Sequence, residues 1–349
     1  MGPDLMKAFY ATAWGGPEVM RYGDLPDPVP RRGEVRVAVH ASSINPVDYK
    51  VRSGAARMIP GQSLPRPFGT DFAGVIDAVG EGAGSVAIGD RVYGGVVTMF
   101  GHAGGHAEYV AAPIGRLRRM PEGIDFVEAA ALPVAALTAL NGLRLAGARA
   151  EKRVLVTGAT GGVGHFAVQM ARARGATVTA VCSAAHADRA RALGAVRIVD
   201  YRTVDFTSLP ERWDLVFDAH GGDFWKRASR VLAPGGAYAN TLPTSPALLL
   251  RGLLSAYLPI GRGYVANLRA LPEDYAELER LLAAGKVKPI VEHVFPLAEA
   301  AKGFAFAEAG GFVGKVVLAV RSDSSALYGS VRLHGDLVSP AGGDWDADR

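Results

Sequence analysis

A single cysteine, Cys182, serves all 349 residues. One thiol excludes an internal disulfide and any structural zinc site built from four thiolates. Long apolar runs are also missing: no window approaches the roughly 18 uninterrupted apolar residues of a bilayer-crossing helix, so no membrane span is expected. The opening Met1-Gly2-Pro3-Asp4-Leu5-Met6-Lys7 lacks a basic stretch followed by an apolar one, so no secretory signal is expected and a cytoplasmic setting is. Charge of one sign is scarce too. The formal charge is only +4, and its densest cluster, Arg116, Arg118 and Arg119, is short. General basicity of this kind bears on solubility and steering, so no nucleic-acid partner is expected, and an anionic cofactor is the simpler explanation.

What is abundant is glycine, 44 residues at scattered turn-like positions rather than in a repeat. That distribution excludes collagen and low-complexity sequence and suits a Gly-rich α/β enzyme. A hydrophobic share of 49% with 21% charged residues fits a globular chain. The length exceeds one ordinary core and predicts two domains.

Up to about residue 125 the pattern is that of short strands. Glu34–Val39 alternates with period two, Phe72–Gly80 reads as a second strand, and Gly89-Asp90 marks a turn before Arg91-Val92-Tyr93. Such spacing with Gly/Pro punctuation predicts a compact barrel-like domain. Near residue 126 the chain becomes Ala/Leu-rich and helical, with Pro133 as a break or a first helical turn. Strands at 154–157, 177–181, 197–201, 214–218 and 237–240 then alternate with helices expected at 162–174, 185–193 and 223–232. This alternation predicts a doubly wound parallel sheet. A helix from Glu273 to Ala284 should end at Gly285, and Lys315–Leu318 should form a last strand returning to the first domain. The predicted division is 1–125 completed by 297–320, then 126–296, then an extension over 321–349.

The chemistry begins at Gly158-Ala159-Thr160-Gly161-Gly162-Val163-Gly164, which follows an apolar strand and opens a helix. One glycine permits a tight turn, another lets backbone approach a pyrophosphate, and the third lets helix and strand pack closely. The helix N-terminus offers free N–H groups and the positive end of its dipole. With strand and helix both in place, the turn predicts dinucleotide binding. About 20 residues further on, an NAD enzyme carries an acid for the ribose hydroxyl. Here Cys182-Ser183-Ala184-Ala185-His186 stands instead. Ser183 can bond a 2′-phosphate, and His186 or Arg189 can add charge, although both also suit a solvated helix face. Asp188 falls inside the following helix. NADPH is the expected cofactor.

Several ordered motifs now coincide: Asn45-Pro46-Val47-Asp48-Tyr49-Lys50, Gly69-Thr70-Asp71-Phe72-Ala73-Gly74, Gly89-Asp90-Arg91-Val92, Leu132-Pro133-Val134-Ala135-Ala136-Leu137-Thr138-Ala139, the glycine turn, and Gly314-Lys315-Val316-Val317. Over roughly residues 7–320 the chain resembles the zinc-free quinone oxidoreductase and enone reductase branch of the medium-chain dehydrogenase/reductase superfamily. The resemblance implies a GroES-like catalytic domain, a Rossmann-type cofactor domain and an active site in the cleft between them. It implies that Tyr201 lies near the 2′-phosphate, that Thr138, Asn240 and Thr241 touch the nicotinamide end, and that Lys315 belongs to the cofactor set. Relatives often carry Lys where this chain has His186, a departure that bears on the strength of phosphate recognition. A homodimer paired through an edge strand at or near Ala237–Thr241 is also implied.

Zinc-dependent alcohol dehydrogenases share this fold, but their metal-ligand positions read here as Asn45 and Gly69-Thr70-Asp71, and His102 and His106 lie in a Gly-rich loop without a thiolate or acid set. No metal is expected. Without one, the acceptor's carbonyl oxygen must be polarised by a fixed donor as negative charge develops on it. The match with enone reductases makes Lys50 the first candidate, with Asn45 and Tyr49 as further donors or pocket shapers and Tyr49 as a possible proton source. Apolar residues such as Leu248, Leu253 and Tyr257 are expected to cover the substrate or to form a dimer contact. Reduction of a small quinone or α,β-unsaturated carbonyl is the expected activity. An enoyl-thioester reductase, for which Arg116, Arg118 and Arg119 would form a basic rim, and a non-catalytic NADPH-binding protein stay open.

Overall fold

The computed structural model describes residues 4–84, 86–221, 225–241, 263–265 and 271–321. Leu248, Leu253, Tyr257 and the extension beyond Arg321 lie outside the described residues. The first strands, β1 (Leu5–Ala11) and β2 (Met20–Pro26), pair antiparallel. In β3 (Glu34–Ser43) the period-two pattern becomes geometry: Val35, Val37, Val39 and Ala41 are buried and the residues between them half-exposed. The helix α1 (Pro46–Arg52) follows, started by Pro46 with its fixed φ and by Asp48, whose Oδ2 accepts the Asn45 N–H at 2.8 Å. A two-residue β4 (Arg66–Pro67) adds to β1. Then come β5 (Asp71–Val79), β6 (Arg91–Gly95), β7 (Tyr109–Pro113) and β8 (Leu117–Arg119).

An acidic capping box starts α2 (Phe126–Ala130): Asp125 accepts the Glu128 N–H at 2.9 Å, and Glu128 accepts the Asp125 N–H at 3.2 Å. Pro133 is the first residue of α3 (Pro133–Leu145), so it starts a helix rather than breaking one. Next come β9 (Arg153–Thr157), α4 (Gly164–Ala173), β10 (Thr177–Cys182), α5 (Ala187–Ala192), β11 (Arg197–Asp200), β12 (Trp213–Asp218), α6 (Trp225–Ala228), β13 (Leu232–Asn240) and β14 (Gly263–Val265). These six strands are all parallel, in the order β11-β10-β9-β12-β13-β14, around a core that includes Leu155, Val181, Trp213, Val216 and Tyr238. The order reverses between β9 and β12, the switch point at which open α/β sheets bind ligands. Because β13 lies between β12 and β14, Ala237–Asn240 is internal to the sheet, and the outer described strand on that side is its neighbour β14.

The last elements are α7 (Pro272–Ala283), ending just before Gly285 at φ +63°, then β15 (Val291–Pro296), α8 (Ala300–Ala309) and β16 (Lys315–Ala319). The two strands return to the first sheet, whose order is β15-β16-β3-β5-β6-β8 with β7 also on β3. Among the described residues the chain divides into two compact units, 4–137 with 271–283 and 289–321, and 138–241 with 263–265 and 284–288. The division falls inside α3 rather than at 125, because α2 packs on β3 and β5. Likewise β15 belongs to the first unit's sheet rather than to the second domain, because it is hydrogen-bonded to β16.

Candidate functional site

In the second unit the strand β9 ends at Thr157 and the glycine turn begins at once. Gly158 adopts φ +55°, and a Cβ there would meet the His220 backbone nitrogen at 3.1 Å. Gly164 starts α4 so close to the turn that a Cβ would strike the Gly158 oxygen at 2.0 Å. Gly161, in contrast, has only that oxygen, at 3.4 Å, so its backbone is open to an approaching group. Gly161, Gly162 and Val163 are half-buried and Thr160 is buried, at the positive end of the α4 dipole. The arrangement is the one a pyrophosphate requires.

At the end of β10, Ser183 is buried with extended backbone and leads into a single 3-10 turn carrying half-buried His186. Arg189, half-buried in α5, has a buried Nη1 without a hydrogen-bond partner among the described residues. A buried guanidinium nitrogen lacking an acceptor is costly, and a phosphate oxygen would satisfy it. Asp188 lies in α5 and pairs with Arg191 at 2.7 Å. Tyr201 is exposed just after β11, with the Arg202 guanidinium 5.9 Å from its ring centre. Burial pushes the Cys182 thiol up to about 11, which keeps it protonated.

Sequence reasoning missed Asp218, a fully buried carboxylate at the end of β12. It accepts from Thr157 Oγ1 at 2.5 Å, Tyr238 OH at 2.6 Å, the Gly221 N–H at 3.2 Å and Asn240 Nδ2 at 3.4 Å. It thereby ties together the carboxyl ends of β9, β12 and β13. Asn240 is buried within this cluster, while Thr241 donates its N–H to the Asp218 carbonyl at 3.1 Å. The signal was an acid closing an apolar strand, Trp213–Asp218. Thr138 is buried on α3.

In the first unit, Asn45, Asp48, Asp71, Thr70 and Lys315 form one buried polar cluster. Lys315 donates to Asn45 Oδ1 at 2.5 Å and to the Ile44 carbonyl at 3.3 Å. Asn45 Nδ2 donates to Asp71 Oδ2 at 3.0 Å, and Ser43 Oγ to the same oxygen at 3.2 Å. Asp71 Oδ1 accepts the Val134 N–H at 3.0 Å. Asp48 accepts from Thr70 through both its N–H, at 2.9 Å, and its hydroxyl, at 2.8 Å. Burial pushes Asp71 up to about 7 against the opposing pull of Lys315, and burial pushes Lys315 down. The structure thus spends the Lys315 ammonium on Asn45, inside the first unit. His106 is fully buried, its ring edge-on to Phe304 at 5.4 Å, with neither nitrogen hydrogen-bonded among the described residues.

The two side chains on α1 differ in environment. Lys50 is exposed by surface area yet crowded enough for burial to push its ammonium down. Tyr49 is half-buried; burial, then the charges of Glu308 and Asp48, push its phenol up to about 12. Such a phenol is a hydrogen-bond donor rather than a ready acid. The arginine rim is largely committed: Arg119 pairs with Asp90 at 3.0 Å and Arg118 stacks over Tyr275 at 4.8 Å. Among the described residues no three His, Cys, Asp or Glu side chains gather as metal ligands, and no helix is long and apolar enough to cross a membrane.

A parallel sheet in this order with a glycine turn at its switch point, in a chain that also carries a GroES-like, mostly antiparallel unit, defines an NAD(P)-binding dehydrogenase fold. Residues 31–122 match the alcohol dehydrogenase GroES-like domain, and residues 193–318 match a family described as zinc-binding dehydrogenase. The chain is 31% identical over 333 residues to the chloroplast envelope quinone oxidoreductase homolog of Arabidopsis thaliana, covering 91% of this chain and 99% of that one. It is 32% identical over 325 residues to the chloroplastic NADPH-dependent alkenal/one oxidoreductase of the same plant, covering 90% and 80%. The quinone oxidoreductase from Coxiella burnetii superposes with a TM-score of 0.83 at 32% identity, over 91% of this chain and 100% of that one. The chain belongs to the medium-chain dehydrogenase/reductase superfamily, among its quinone and enone oxidoreductases.

Proposed function

We propose that this protein is an NADPH-dependent, metal-independent reductase of small quinones or α,β-unsaturated carbonyl compounds. The observation that carries the metal-free half is the Lys315 ammonium bound to Asn45. Asn45 and Gly69-Thr70-Asp71 stand where zinc enzymes of this fold hold their metal, so a divalent cation would sit beside a buried like charge. The donor set does not fit zinc.

NADPH fits the second unit. The turn at Gly158–Gly164 suits a pyrophosphate, no acid closes β10, and Ser183, His186, Tyr201 and the unsatisfied Arg189 nitrogen suit a 2′-phosphate. Thr138, Asn240 and Thr241 are assigned to the nicotinamide end. When bound, the cofactor supplies a hydride to the acceptor's β-carbon or to a quinone. The chain's own task is to stabilise the oxygen on which negative charge then grows. Lys50 is assigned that task, because its ammonium is accessible and already partly desolvated. Asn45 acts behind it, since its oxygen accepts from Lys315 and its nitrogen donates to Asp71. Tyr49 shapes the pocket as a neutral phenol, and water delivers the proton.

The commitment of Arg118 and Arg119 within the protein favours a free small acceptor over a carrier-bound thioester. Assembly as a homodimer and a cytoplasmic setting are part of the same proposal. Relatives named as chloroplastic and mitochondrial show that this fold serves other compartments. Following NADPH consumption across enones, quinones, aldehydes and enoyl thioesters tests the assignment. Turnover with enones or quinones is expected. Turnover with thioesters alone would favour the carrier-bound alternative, and none at all a non-catalytic role.

A further inference from the structure

We propose that Asp71 is a positioning residue whose ionised carboxylate holds two helix starts in register, that of α1 through Asn45 and that of α3 through Val134, so that turnover requires this carboxylate to be charged. The proposal rests on the reductase assignment above. Its geometry is specific. One oxygen of a side chain with 0% exposure accepts the Val134 N–H in the first turn of α3, the helix that carries Thr138. The other accepts from Asn45, the residue before α1, the helix that carries Tyr49 and Lys50. Ser43 adds a third donor.

Three donors and no acceptor other than the reversible Ser43 hydroxyl suit a carboxylate and not a carboxylic acid. A proton on Oδ1 would face the Val134 amide, which cannot accept it. A proton on Oδ2 could be taken by Ser43, but only by weakening the bond from Asn45. Protonation therefore loosens one helix start or the other. The surrounding charges bring this event into the working pH range. Asp48 on α1 and Lys315 on β16 face the cluster with opposite signs, His106 from the loop before β7 is held neutral by burial, and Tyr275 on α7 is held neutral as well. Two carboxylates thus share one ammonium. Burial then raises the Asp71 carboxyl to about 7.

The test compares wild type with Asp71→Asn, which keeps the size and the acceptor for Val134 but cannot titrate. For wild type, single-turnover rates should fall about tenfold per pH unit below a midpoint near 7, as for one essential ionised group. Asp71→Asn should lose that limb and run at least about 100-fold below the wild-type plateau, as the protonated carboxyl does, with NADPH affinity, read by fluorescence titration, changed less than about twofold. A merely structural role would lower the melting temperature and leave the shape of the pH profile intact. An infrared carboxylic-acid band in the cofactor-free protein should grow in near pH 7 on acidification and be absent from the variant, a readout independent of turnover. Should Asp71→Asn fail to fold, Ser43→Ala, which removes one donor to the carboxylate, should move the limb to higher pH by roughly half a unit to one unit. An acid limb unchanged in Asp71→Asn or in Ser43→Ala would overturn the proposal and leave the reductase assignment standing. Absence of turnover at every pH, with a normal infrared titration, would overturn the reductase assignment instead.

Discussion

The buried ammonium of Lys315 is joined to the buried carboxylate of Asp71 through one side-chain amide, that of Asn45, which accepts from Nζ and donates to Oδ2 at 3.0 Å. With its amide engaged on both sides, Asn45 is a poor candidate for direct contact with an acceptor's oxygen. Lys50, one helical turn further along α1, becomes the group that polarises it.

Lys50→Ala should therefore lower kcat by about 100- to 1000-fold, the range measured when a single oxyanion donor is removed. NADPH affinity should stay within about twofold, because the change is in the transition state. Steady-state kinetics with one good enone, alongside a fluorescence titration of the cofactor, separates the two. An unchanged kcat would remove Lys50 from the account.

Arg189 offers a buried, unsatisfied nitrogen beside the end of β10. Arg189→Ala should reduce kcat/KM for NADPH by about tenfold, the worth of one charge-assisted contact at a half-buried site, and leave the value for NADH nearly unaltered. Equal losses with both cofactors would place Arg189 outside phosphate recognition.

The glycine turn makes a graded prediction. Gly164→Ala puts a methyl group into the space held by the Gly158 oxygen, 2.0 Å from the ideal Cβ, and backbone there must shift. It should destabilise by roughly 1–3 kcal/mol and abolish tight cofactor binding. Gly161→Ala meets only one oxygen at 3.4 Å, so it should fold normally and weaken binding alone. Thermal melts and NADPH titrations of both variants check the order.

Asp71 also sets a direction for stability. Its folded pKa, about 7, lies above the ordinary carboxylate value of 3.8, so the folded state holds a proton that the unfolded chain has already lost. The contribution is therefore largest in acid and disappears as pH rises through 7. Between about pH 5 and 7, wild type should lose stability relative to Asp71→Asn by on the order of 1 kcal/mol per pH unit. Denaturant melts at a series of pH values measure this. A difference that grows towards acid would have the wrong sign.

Much of this architecture was legible in advance, for physical reasons that can be named. Alternation in Glu34–Ser43 and the apolar strands before Gly158 and Ser183 are local patterns, and local patterns survive folding. Pro133 was ambiguous because proline suits both a break and a first helical turn; the Asp71 carboxylate on the Val134 N–H decides between them. Which strand near Ala237–Thr241 forms the edge was not legible, because it is β14, which is three residues long and far along the chain. The partners of Asp218 and the link from Lys315 to Asn45 were not legible, since they are separated by as many as 270 residues and only the folded sheets bring them together. Lys315 entered the cofactor set through the resemblance carried by Gly314-Lys315-Val316-Val317, and a local motif gives no sign of its bond to Asn45, 270 residues away.

The most direct test of the account is the rate of NADPH oxidation by a small enone or quinone after exhaustive treatment with a zinc chelator, measured beside the rate with NADH. Full activity after chelation, with a clear preference for NADPH, is the predicted result. Loss of activity that added zinc restores, or equal rates with the two cofactors, would contradict it.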